Sequence, residues 1–129
     1  MILLPVTLTA AAAAAFINFW LGLRVARIRT AEKISVGDGG NLRLIARMRA
    51  QLNFAEYTPI VLILLGLVEL ARGSNLYLWI VALVYVIGRV LHGFGMDGVR
   101  AGREIGTATT MLTMIGLAVY AALITYGVA

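Results

Sequence analysis

Arg49, Asn53 and Glu56 stand at i, i+4 and i+7, the spacing that brings three side chains to one face of a helix. A rise of about 1.5 Å per residue puts the arginine and the glutamate about 10 Å apart along the axis. The planar fork of an arginine suits a ligand carboxylate, a glutamate suits an ammonium group, and an asparagine amide both donates and accepts. Such a face fits a zwitterionic ligand. It also fits a purely internal arrangement, with Arg49 paired to Glu56 across two turns and Asn53 bonded to a neighbouring helix. Arg89 is a further candidate for the same cavity. His92, the chain's one histidine, reads either as an acid–base group or as a packed residue near a helix end. No histidine or carboxylate set has metal-ligand spacing, and with no cysteine the chain holds neither disulfide nor thiolate.

The elements that carry these residues are apolar. Of 129 residues 61% are hydrophobic and only 13% charged, and the mean hydropathy is +0.93. A water-soluble fold of this length cannot bury so much apolar surface, because small domains hide a smaller share of what they expose. Lipid covers it instead. The expected fold is all-α, a four-helix integral membrane bundle forming one domain over residues 1–129. The net charge of +5 sits at the ends of apolar runs, as cytoplasmic retention of basic loops predicts, and no RNA- or DNA-reading motif accompanies it.

Four spans are expected, over residues 5–27, 45–70, 76–95 and 105–126. The first lacks the basic start of a signal peptide, since its first basic residue is Arg24. Arg24, Arg27 and Arg29 near its end are read as topology anchors reaching the headgroups. Gly37, Asp38, Gly39, Gly40 and Asn41 form a breaker cluster; it lacks the lysine of a phosphate loop. Span two carries its polar face in its first half and Pro59 within it, where a bend or a loosened turn is expected. Arg72 to Asn75 make a short turn, Tyr77 and Trp79 fit an interfacial aromatic belt, and Met96 to Arg103 form loop three. Gly66, Gly88, Gly95, Gly106 and Gly116 are candidates for close helix approach. Loops one and three hold most of the basic residues, which puts both in the cytoplasm and the two termini on the opposite side.

The segment Arg49-Ala50-Gln51-Leu52-Asn53-Phe54-Ala55-Glu56-Tyr57-Thr58-Pro59, with Gly88-Arg89-Val90-Leu91-His92 further on, closely resembles the signature of the membrane-associated proteins in eicosanoid and glutathione metabolism (MAPEG). That family includes microsomal glutathione transferase and leukotriene C4 synthase. The resemblance covers most of the chain and looks strongest to the short bacterial branch, which implies residence in a bacterial inner membrane. It implies a homotrimer with glutathione bound between neighbouring subunits as cosubstrate. Arg49, Asn53, Glu56 and Tyr57 match family residues that hold glutathione, with Gln51 adjacent and Arg89 and His92 in the same region. Arg103 sits near the arginine that approaches the thiol, and Arg27 matches a first-span arginine implicated in some members, with Arg24 and Arg29 close by.

The implied activity is that of a glutathione-dependent transferase or peroxidase working on hydrophobic electrophiles or lipid hydroperoxides. One departure matters: where several eicosanoid-producing members carry a tyrosine beyond the span-three arginine, this chain has Gly93-Phe94-Gly95-Met96. That argues against a specific eicosanoid synthase. The competing class is a non-enzymatic member that binds lipid or a small molecule, or assists membrane assembly. A transporter would need internal repeats or paired broken helices, which the sequence lacks.

Overall fold

A computed structural model describes residues 1–129. It contains four α-helices and no strand: α1 (Pro5–Glu32), α2 (Leu42–Arg72), α3 (Leu76–Gly95) and α4 (Arg100–Thr125). All four are long and apolar enough to cross a membrane. Both α1, at 28 residues, and α2, at 31, are longer than the roughly 20 residues a hydrocarbon core requires. Their surplus length holds arginines, Arg27 and Arg29 on α1 and Arg43, Arg47 and Arg49 on α2.

The ends differ from the sequence reading in a consistent way. Helix α1 runs on past Arg27 to Glu32, so Arg29 is helical. Helix α2 begins at Leu42 because the Asn41 side chain caps it, accepting from Leu44 N at 3.0 Å. Asn75 caps α3 in the same way through Leu78 N. Helix α4 starts at Arg100, so Arg103 is a first-turn helical residue and not part of loop three. Polar residues there looked like loop, but a helix that leaves the bilayer needs no apolar side chains. The chain stays α-helical through Pro59.

Helices α2 and α3 form the middle of the bundle. Each of α1 and α4 packs on both of them, and α1 and α4 do not touch. The apolar core follows this plan, with Val6, Ala10, Val61, Leu65, Leu78, Tyr85 and Leu117 at one end and Ala14, Ile17, Leu21, Ala50 and Phe54 in the middle. Inside it the Thr58 and Tyr85 hydroxyls bond each other at 2.8 Å, joining α2 to α3.

Helices α3 and α4 approach backbone to backbone. A Cβ on Gly95 would lie 2.6 Å from Arg103 Cα, and one on Gly106 would lie 2.6 Å from Gly88 O. Gly88 faces Thr109, so three of the five glycines singled out by sequence sit in this seam. Gly66 packs against Thr7 on α1, while Gly116 has nothing within 4 Å and takes no part in close packing.

At the end of the bundle holding both termini, Glu69 is 1% exposed and closes the start of α1. Its Oε1 accepts from Val6 N at 3.0 Å and Ser74 Oγ at 2.7 Å, and its Oε2 from Thr7 N at 2.8 Å and Thr7 Oγ1 at 2.6 Å. Helix α1 has no side-chain cap of its own, so a carboxylate from α2 satisfies the donors that every helix start leaves open.

Candidate functional site

The first half of α2, the end of α3 and the first turns of α4 enclose a cleft of about 1130 Å³. Arg49, Asn53 and Glu56 line one wall because their spacing keeps them on one face of an uninterrupted helix. His92 and Met96 come from the end of α3 and Arg103 from α4. The backbone contact between Gly95 and Arg103 sets where that arginine leaves α4. Met96 lines the wall that lacks a phenol.

Arg49 and Glu56 are both exposed to the cleft and are not paired with each other. The three ion pairs of the chain are Arg24–Asp97, Arg47–Asp97 and Arg100–Glu104. Of the internal arrangement open to these residues from the sequence, the Arg49–Glu56 pair is not made, whereas Asn53 does bond a neighbouring helix, through Arg89 on α3. Two opposite charges on one wall keep their capacity for a ligand.

The other sequence-derived residues take different places. Arg89 is 1% exposed, behind the cleft wall, with its guanidinium on Asn53 and Thr110. His92 is 4% exposed and its Nδ1 is buried without a partner. Gln51 points the other way along α2, into a groove of about 810 Å³ that it shares with Asn18 and Arg29 of α1. Arg49 stands on the ridge between the two and lines both. Tyr57 is half-buried beside the cleft without lining it, and Arg27 is exposed on α1, outside both cavities. One chain thus assembles Arg49, Asn53, Glu56, His92 and Arg103, while Gln51 and Arg27 lie outside this cleft.

Arg24 is not a headgroup anchor. It is 6% exposed, donates NH1 to Gly93 O at 2.8 Å, and packs its guanidinium over the rings of Trp20 and Phe94. Its NH2 pairs with Asp97, whose other oxygen accepts from Arg47 Nε at 3.3 Å. Arg47 NH1 also reaches Arg24 O at 3.1 Å. Asp97 therefore ties the α3–α4 corner, which forms part of the cleft mouth, to α1 and α2. The sequence signal was faint, a lone acid among glycines.

Asp97→Ala is expected to lower stability by about 1–3 kcal/mol, less than a fully buried pair because Asp97 is partly exposed. Thermal unfolding in detergent measures it. The double variant with Arg24→Met should recover most of the loss, since it removes the stranded cation; no recovery would show that the clasp is not what Asp97 contributes.

The chain matches the model of the MAPEG family over residues 7–123. It is also similar to the inner membrane protein YecN from two strains of Escherichia coli, at 31% identity over 71 residues. That alignment covers 55% of this chain and 54% of YecN, so the chain spans about half the length of the relatives it matches. Four membrane-length helices, a polar face at the head of the second, and a family match running from α1 into the last turns of α4 lead to one assignment: the chain belongs to the MAPEG family.

Proposed function

We propose that this protein is a glutathione-dependent transferase or peroxidase of the bacterial inner membrane, acting on hydrophobic electrophiles or lipid hydroperoxides. The observation that carries the reading is the unpaired couple Arg49 and Glu56 on one cleft wall, with Asn53 between them. Glutathione offers two carboxylates, one ammonium and two amides, and this wall presents a cationic fork, a carboxylate and an amide. Family membership supports a glutathione-related membrane protein. The relatives' name supports the inner membrane.

In this reading Arg103, on the opposite wall, faces the sulfur and favours the thiolate over the thiol by placing a cation beside it. The thiolate attacks an electrophilic carbon and displaces its leaving group. With a hydroperoxide it attacks the terminal oxygen instead, the O–O bond breaks, and the alkoxide leaves as the alcohol by taking up the proton that the thiol gave up. A second glutathione then reduces the sulfenic acid to disulfide and water. The working unit is a homotrimer in which Gln51 and Arg27 of a second copy complete the cleft, and the basic end of each subunit is cytoplasmic.

Calorimetric titration of glutathione into the detergent-purified protein tests this. Saturable binding is expected, weakened about 10- to 100-fold by Arg49→Ala, the worth of one charge-assisted hydrogen-bonded contact. A wild type that gives no binding heat while eluting as a folded oligomer would overturn the glutathione reading.

A further inference from the structure

Arg89 is a buried cation with no anion. It sits inside the bundle on α3, 1% exposed, and none of the chain's ion pairs includes it. Its contacts are neutral: NH1 donates to Thr110 Oγ1 at 2.8 Å, NH2 donates to Asn53 Oδ1 at 2.8 Å, and the guanidinium lies 5.6 Å from the Phe54 ring centroid. The Thr110 hydroxyl gives its own proton to Gly106 O at 2.8 Å, which leaves its lone pairs to face Arg89. A charge held this way in an apolar layer is costly, and residues that persist so are normally tied to function.

The consequence falls on Asn53. The two ends of an asparagine amide are close in shape, and either can face a neighbour that donates and accepts. A guanidinium only donates. The atom of Asn53 that meets Arg89 must therefore be the oxygen, and the amide nitrogen must point away. Asn53 lines the cleft, and Nδ2 has no partner within the chain and is not buried. Turning the amide over would press two donors together beside a buried cation.

We propose that Arg89 is a positioning residue that never touches the ligand: by holding Asn53 Oδ1 it aims the Asn53 Nδ2 donor into the cleft, so that this point on the wall takes a carbonyl or carboxylate oxygen and rejects an amine. The inference rests on the ligand reading above and gives it a direction. One helical turn from Asn53, Glu56 supplies the acceptor. About 5–6 Å separates the Cβ atoms of such neighbours, so the wall reads an acceptor atom and a nitrogen donor of the ligand in fixed order. A ligand of the same composition with those groups exchanged meets like against like at both points.

Two cycles on the full-length protein in detergent test this. The first contains no ligand. Asn53→Asp gives Arg89 a carboxylate and is expected to raise the thermal midpoint by about 3–6 °C, whereas in the Arg89→Met background the same change should lower it. An equal shift in both backgrounds would mean that Arg89 does not hold Asn53, and the proposal falls. The second cycle reads glutathione affinity. Asn53→Ala and Arg89→Met should each weaken binding about tenfold, the worth of one hydrogen bond, and the double variant should be no weaker than Asn53→Ala. Arg89→Lys, which keeps a donor for Oδ1, should bind at least threefold tighter than Arg89→Met. Losses that multiply to about a hundredfold would show that Arg89 acts on its own, through ligand or fold, and would overturn the proposal. Absence of glutathione binding by the wild type would remove the ligand of the preceding section, while the ligand-free cycle would still decide whether Arg89 sets Asn53.

Discussion

Glu69→Ala should lower the stability of the bundle by about 3–5 kcal/mol, one of the two largest single-residue effects expected in this chain. Four donors converge on that carboxylate, two of them backbone N–H groups in the first turn of α1. Val6, which carries one of the two, is 0% exposed, so water cannot replace the lost acceptor without opening the helix end. The anion also faces the positive end of the α1 dipole. Glu69→Gln sharpens the test. One of its two ends must be an amide nitrogen, and whichever it is meets a backbone N–H that cannot reverse its role. About half of the alanine loss should therefore remain. Chemical unfolding in mixed micelles, followed by circular dichroism, measures both. A glutamine variant as stable as the parent would show that the hydroxyls, which can turn, provide the contact and the backbone does not.

Gly95→Ala should be nearly as damaging, at about 2–4 kcal/mol, although alanine is the better helix former. The new methyl would lie 2.6 Å from Arg103 Cα and from the Gly102 carbonyl carbon. Both are backbone atoms, so no rotamer change relieves the clash and α4 must move off α3. Arg103 moves with it. The variant should therefore also weaken any ligand held at the cleft, an effect that a loss confined to stability would not produce. Gly116→Ala is the control. Nothing stands within 4 Å of its Cβ position, and this variant should gain about 0.5–1 kcal/mol from helix propensity. Equal behaviour of the two glycines would show that the α3–α4 seam is looser than its backbone contacts imply.

The bundle was legible because hydropathy and breakers act over whole segments. The runs over residues 5–27 and 76–95 and the clusters at Gly37–Asn41 and Arg72–Asn75 define helices and turns without any knowledge of packing. Helix ends were less legible. Arg100 to Arg103 read as loop because apolar content marks the bilayer and not the helix, and Asn41 reads as a breaker although it also caps α2. On α2 the cleft wall followed from spacing alone, since Arg49, Asn53 and Glu56 share a face in any straight helix. Arg24 with Asp97 was out of reach, because their partnership spans most of the chain and depends on how α1 meets the α3–α4 corner. Glu69 was overlooked for a related reason. Three of its four donors stand more than sixty residues away on Val6 and Thr7, and only the antiparallel return of α2 brings it to the start of α1.

That α1 and α4 never touch bears on how the protein is made. Each outer helix has a sequence neighbour as its main partner, α1 with α2 and α4 with α3. The contact of Glu69 with Val6 and Thr7 lies wholly within the α1–α2 pair, so a ribosome delivering the chain in order supplies both of its sides before α3. The second hairpin has its own seam, the glycines of α3 and α4, and the Arg24–Asp97 pair ties its corner to α1. Helix α4 is the least buried of the four, and the cleft wall it forms exists only where it leans on α3 and α2.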